Sequence, residues 1–511
     1  MKISFKNVGG GAFVLLISGL ICKCLGAFFR LPLTNMLGIE GIGVFQLVMS
    51  LYSFALVVTA GGVTASLSKL IGSARANGRM EKVGLYLKQA LLVSVSIGLA
   101  LGVLFLIFGR YIAIFQNISS SASYYLFALM LPLGAGLATL RGYFQGYENM
   151  LPTAISQVIE QVIRFSFGLL FAYYFSKFGI VQGVFGAFLG VLTSEAISLL
   201  FLIIFFTVKR RSKKEVYSRD FSRIVRKEFN NANFPLTFSA SILPLVTAFE
   251  SLIIIPRLMA SGLTSSFATS LFGLQAGVVG AILHFPLIIS MSITTAILPN
   301  LSYHISRGSG GRVIIEKGLK TLLYLILPTT FGMVAISKEV LDLFYTEITP
   351  FLLMIAFNLM LYGGFATIFT ALMQYIIMIL QANGQFNYIL LITIIGGALR
   401  AVLSFTLSAV SSINIYAVLL GNIAMTAITC LLGLFRLKQI SAFSLPVKDV
   451  VILLLGTFLM FITVYTFVNS SYFSPMVNII LGILLGVLVY GVLTISFLIK
   501  IVNRKKVKNV V

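Results

Sequence analysis

Apolar runs of about 20 residues recur along the whole chain, parted by short polar or basic breaks, and each is long enough to cross a hydrocarbon layer about 30 Å thick as a helix. Fourteen such spans are predicted, with limits near 8–29, 43–67, 84–108, 122–140, 153–176, 183–208, 233–256, 268–298, 318–337, 349–379, 387–409, 413–435, 449–468 and 476–501. The runs are continuously apolar instead of alternating, so a β-barrel is excluded and the fold class is all-α, a polytopic membrane protein. One stretch departs from this monotony, RGYFQGYENMLPTAISQVIEQVIR at 141–164. Read as a helix from Pro152, it sets Gln157, Glu160, Gln161 and Arg164 at i, i+3, i+4 and i+7, a polar stripe on an apolar rod, with Gln145 just upstream. An ionisable group at membrane depth costs about 2.5–3.5 kcal/mol on insertion scales, so the stripe is expected to face a bundle interior or a wet cavity.

Composition agrees with the runs: 59% of the 511 residues are hydrophobic, 10% are charged, and the mean hydropathy is +1.03. The 37 Lys and Arg against 14 Asp and Glu would suggest nucleic acid in a soluble protein. Here they sort by loop instead, and no nucleic-acid partner is expected. If the N-terminus is cytoplasmic, the inner segments, with Arg141 counted among them, hold most of the cations. The outer ones keep only Arg30, Arg110, Lys177, Arg257 and Lys338. By the positive-inside rule both termini are cytoplasmic and the number of spans is even.

The basic stretch at 209–227 is the main soluble interruption. It predicts a division into an N-terminal six-helix lobe at 1–208, a linker at 209–232, a second six-helix lobe at 233–437, and helices 13 and 14 with a basic tail at 438–511. As a topology determinant it also contacts the anionic lipids of the cytoplasmic leaflet, at about 1 kcal/mol per cation. The two lobes read as weak repeats: a shift of 236 lays 141–164 on 377–400, Gln145 on Gln381 and Arg164 on Arg400. Both lobes start from the same side, so the repeat is parallel, as in transporters whose two halves clasp a midplane cavity.

Within the spans, Glu160 and Arg164 stand one turn apart and can neutralise each other. Arg400 has Gly396 at the matching place and needs a partner elsewhere; Lys23 also lacks a local carboxylate. An excess of cations suits an anionic ligand such as a phosphate. Arg30 and Arg257, each closing the first helix of its lobe, are read first as interface anchors. Glu250 and Glu195 are candidate counter-ions or coupling groups. Glu250 is favoured for a coupling ion or proton because Pro244 and Pro256 bracket it. Three cysteines and two histidines argue against a metal site, and two histidines, one of them in a cytoplasmic loop, with few exposed carboxylates argue against a membrane enzyme.

The stretch at 141–164, with TASLSKLIGSARANGR at 64–79, FESLIIIPRLMASG at 249–262 and FPLIISMSITTAILPNLSYHIS at 285–306, resembles the polysaccharide-flippase group that includes stage V sporulation protein B, within the multidrug, oligosaccharidyl-lipid and polysaccharide exporter superfamily. The resemblance implies fourteen helices in two pseudo-symmetric lobes plus a terminal pair. It implies a monomer without cofactors that moves a polyprenyl-diphosphate-linked saccharide outward, as for spore cortex, beside envelope-synthesis enzymes. It also places Lys23, Arg30 and Arg257 at stations comparable to diphosphate-holding cations. A cation-coupled drug antiporter of the same superfamily would want an acidic cavity and twelve helices, and a non-transporting scaffold is the third alternative.

Overall fold

Lipid offers no partner to a free N–H or C=O, so a chain of long apolar runs satisfies its backbone within helices. The computed structural model of the protein, which describes residues 5–209, 219–307, 311–345, 348–440, 447–470 and 473–503, contains no strand among them. In the first part of the chain the helices are α1 (Phe5–Ala60), α2 (Val63–Ala76), α3 (Glu81–Phe115), α4 (Ala122–Tyr125), α5 (Phe127–Gly146), α6 (Leu151–Ser176), α7 (Ile180–Lys209), α8 (Arg219–Ala260) and α9 (Ser265–Phe272). A π-helical turn, Gly273–Val279, leads on to α10 (Gly280–Ser306), α11 (Arg312–Ala335), α12 (Ser337–Phe344), α13 (Pro350–Ala382), α14 (Phe386–Leu407), α15 (Tyr416–Ile440), α16 (Val447–Asn469) and α17 (Pro475–Asn503).

Among the described residues, thirteen helices are long and apolar enough to cross a membrane, and the first, Ile17–Ala76, runs for 60 residues. At about 1.5 Å per residue that is some three bilayer cores, so it holds two of the fourteen expected crossings. Gly38, at φ 73° and ψ 175°, breaks it, a conformation open to glycine because no Cβ is present. The sequence expectation ends the first helix at 29, whereas the helix continues to this kink through Pro32, so Arg30 lies inside a helix and not at its end.

The chain divides into two compact units, residues 1–273 and 274–511. The sequence-predicted boundary, a linker at 209–232 with the second lobe from 233, lies upstream of this division. Residues 210–218 lie outside the described part, but from Arg219 the segment is already helical and runs into the seventh span without a break. Polar contacts tie α8 to the first unit. Lys82 Nζ on α3 meets Glu228 at 2.7 Å, and Tyr86 donates to the same carboxylate. The Gly62 amide donates to Thr237 Oγ1 at 3.1 Å, and Gln116 Nε2 donates to the Ser251 carbonyl at 2.8 Å. Side-chain pairs of this kind join helices where the apolar effect is weak, because lipid tails are as apolar as leucine.

In the second unit, α16 and α17 pack on α11: Tyr490 donates to the Tyr324 carbonyl at 3.1 Å, and Lys320 pairs with Asp449. The repeat is visible in the backbone. Helix α5 ends at Gly146 and α13 at Ala382, 236 residues later, and the turns that follow carry left-handed residues Glu148 (φ 59°) and Gly384 (φ 70°) at that same spacing.

Candidate functional site

The polar stripe at 157–164 lies on α6, which packs against α1, α5 and α7. Its centre is Glu160. Arg164, one turn on, donates through Nη2 to Oε1 at 2.6 Å, and Arg141 on α5 donates through Nη2 to Oε2 at 2.8 Å. Arg141 Nε also donates to Ser156 Oγ at 3.0 Å. The three charged side chains are 13–18% exposed. Arg141 therefore belongs to the membrane helices and not, as its position near a turn suggested, to an inner loop. The reason is that α5 runs five residues past Arg141 before it ends at Gly146. Removing one cation from the inner count leaves the charge imbalance large.

One carboxylate between two guanidinium groups leaves the cluster with a net positive charge. Arg164 Nε is moreover buried with no hydrogen-bond partner among the described residues. A buried donor of a charged group left unmade is costly, and an anion that reached it would gain a charge-assisted bond. Helix α1 closes the site from one side: Ser18 Oγ donates to Gln157 Oε1 at 3.3 Å, and a side chain on Gly26 would stand 3.8 Å from Gln161 Oε1. Ser18 and Gly26 are two turns apart, so one face of α1 follows the stripe. Lys23, on the turn between them, is half-buried, and Arg30 is half-buried further along the same helix. Gln145 is half-buried at the end of α5.

A second buried carboxylate stands near the first. Glu195 on α7 is 2% exposed, Tyr52 on α1 donates to its Oε1, and its Oε2 has no partner among the described residues. The sequence offers Glu195 only as one of two acidic residues inside spans; nothing in spacing links it to a tyrosine 143 residues away. Glu250 on α8 is 4% exposed, and Arg257 is half-buried in the last turn of that helix.

The second unit handles its arginine differently. Arg400 Nη1 lies 3.4 Å from Asn422 Oδ1 on α15, a long contact to a neutral amide. A glutamate cannot stand at 396, because a Cβ there would come within 2.6 Å of Thr429 Oγ1 and 3.1 Å of the Met425 carbonyl. Gln381, the repeat partner of Gln145, is exposed at the end of α13. Sequence-selected residues of the first unit thus gather on α1, α5 and α6, with Glu250 and Arg257 on α8. Residues that sequence reasoning passed over, Arg141, Ser156 and Ser18, complete the cluster.

Comparison with known proteins gives a consistent answer. Residues 8–305 match the family described as "Polysaccharide biosynthesis protein". Stage V sporulation protein B of Bacillus subtilis (strain 168) is 25% identical over 455 residues, covering 86% of this chain and 85% of that protein. Lipid II flippase MurJ of the same organism is 22% identical over 499 residues, 89% of this chain and 87% of that one. Among solved structures, a lipid II flippase MurJ in an inward closed conformation superposes with a TM-score of 0.74 at 16% identity, covering 95% of this chain and 98% of the other, and shares its fold.

Proposed function

Because the chain belongs to the polysaccharide biosynthesis protein family, we propose that this multi-pass membrane protein is a flippase that moves a polyprenyl-diphosphate-linked saccharide from the inner to the outer leaflet by alternating access. The observation that carries the proposal is the Arg141–Glu160–Arg164 cluster, with its surplus charge and its unused Arg164 Nε at membrane depth. Two guanidinium forks suit a diphosphate better than point charges do. Lys23, Arg30 and Arg257 are proposed as further diphosphate contacts in the first unit and Arg400 in the second. Gln145, Gln157, Gln161 and Gln381 supply neutral donors for sugar or phosphate oxygens. Glu250 is proposed as the coupling group, with the half-bonded carboxyl of Glu195 as the competing choice.

Energetics support outward movement without a nucleotide. A diphosphate of charge about −2 leaving a negative cytoplasm through 100 mV gains roughly 4.6 kcal/mol, at about 2.3 kcal/mol per charge. The reading makes the chain a transporter and not an enzyme. It is tested with the purified protein in vesicles that carry a labelled polyprenyl-diphosphate saccharide. Wild-type protein should move label between leaflets, and Arg164→Gln should slow it at least tenfold while remaining folded. Export of organic cations with no movement of the lipid would replace this reading with the antiporter one.

A further inference from the structure

Away from the α1, α5 and α6 cluster, the first unit holds a cavity of about 310 Å³ between α3 and the start of α8. Its polar lining is Lys88 and Gln89 from α3 and Ser222, Arg223 and Arg226 from α8. Arg223 and Arg226 are three residues apart and share a helix face, which sets both guanidinium groups towards one opening. Among the described residues, no carboxylate lines it. Glu228, two residues after Arg226, is engaged by Lys82 and Tyr86 of α3 and does not cancel the cavity's charge.

The apolar part of the lining is Leu85, Leu92 and Val225. Leu92 also begins an exposed apolar row, with Leu99, Val103 and Leu106 each 47–53% exposed along α3. Offsets of 7, 11 and 14 residues keep these four on one face. From Leu92 to Val103 the helix rises about 16 Å, close to half of a hydrocarbon core about 30 Å thick. The cavity thus sits where a cationic mouth meets the first turn of a surface one leaflet deep.

We propose that this cavity binds the phosphodiester headgroup of an anionic phospholipid, held by Lys88, Arg223 and Arg226, with an acyl chain laid along Leu92, Leu99 and Val103. Ser222 and Gln89 offer neutral hydrogen bonds for a headgroup hydroxyl. The site is separate from the diphosphate cluster and independent of what the chain carries. It fastens the start of α8, within the basic stretch at 209–227, to the membrane beside α3. Free phosphate shares the headgroup's charge but not its chain, so the apolar lining and the row along α3 decide between them.

The test uses the full chain in nanodiscs of phosphatidylcholine with or without phosphatidylglycerol, and in detergent with inorganic phosphate. A photoactivatable phosphatidylglycerol should crosslink to residues 85–92 and 222–226 of the wild-type protein; crosslinks confined to other helices overturn the proposal. At roughly fivefold per cation near a membrane surface, replacing Lys88, Arg223 and Arg226 by Gln should weaken phosphatidylglycerol binding by about 100-fold. The same charge removed as Lys69→Gln, Lys317→Gln and Lys438→Gln should leave the crosslinks at 85–92 and 222–226 in place. Equal loss in both triple variants, or full competition by millimolar inorganic phosphate, rejects a built lipid site. Should the first triple variant fail to fold, crosslinking of wild-type protein still decides.

Discussion

Glu160 carries more than its formal charge, because two arginines from two helices depend on it. Removing the shared member strands both guanidinium groups, whereas removing Arg164 leaves Glu160 still paired with Arg141. Breaking a buried pair typically costs about 3–5 kcal/mol. Glu160→Ala should therefore lower the level and melting temperature of the purified protein far more than Arg164→Gln does; equal damage from the two would contradict sharing. Tyr52 and Glu195 invite a different comparison. Tyr52→Phe leaves a buried carboxyl without its one observed donor, at about 1–3 kcal/mol, while Tyr52→Phe combined with Glu195→Leu removes both partners and should recover much of the loss. A double-mutant cycle on melting temperatures reads the coupling, and simple additivity would deny it.

The helices themselves are set by a few close approaches. On α6 and α7, Gly168 and Gly190 bring two backbones together with no room for a side chain, and α1 turns at Gly38. These glycines act through different physics. A Cβ at Gly190 would collide with Gly168, whereas a Cβ at Gly38 meets nothing within 4 Å and only the backbone conformation resists it. Gly190→Ala should force the two helices apart and reduce folded yield. Gly38→Ala should keep the yield nearer normal but cost about 1–3 kcal/mol of local strain and straighten the kink. Gly19→Ala, at an open helical position, is the control and should be stable. Folded yield by size exclusion separates the three; a yield for Gly190→Ala equal to that of Gly19→Ala would show that the approach tolerates a methyl group.

For the molecule as a transporter, sidedness and driving force are the quantities to measure. The cation distribution predicts that both termini and the stretch at 209–227 face the cytoplasm. Ser212→Cys should then be shielded from an impermeant thiol reagent in intact cells and labelled once they are opened. Labelling from outside would invert the topology and reverse the sign of the electrical argument. With that sign as proposed, collapse of the membrane potential should slow flipping in vesicles. Flux indifferent to potential but sensitive to Glu250→Gln would move the energy source to an ion gradient.

Class was legible in the sequence because lipid imposes a simple rule: every crossing must be a helix of about 20 apolar residues. The count was less so, since thirteen spanning helices stand among the described residues and two of the fourteen expected spans share Ile17–Ala76. The 236-residue repeat was legible too, since hydropathic register is a local property that two lobes can share. The stripe of Gln157, Glu160, Gln161 and Arg164 followed from the 3.6-residue period alone. Partnership was not legible, because a side chain's partner depends on which helix packs beside it. Arg141 looked like a loop cation until α5 extended past it, and Glu195 had no visible tie to Tyr52. Gly396 could not have been known to exclude a carboxylate before α15 was laid against α14. The division after Gly273 was hidden for a similar reason. Polarity marks where a chain leaves the membrane, but only contacts such as those of Glu228, Thr237 and Ser251 decide which bundle the next helix joins.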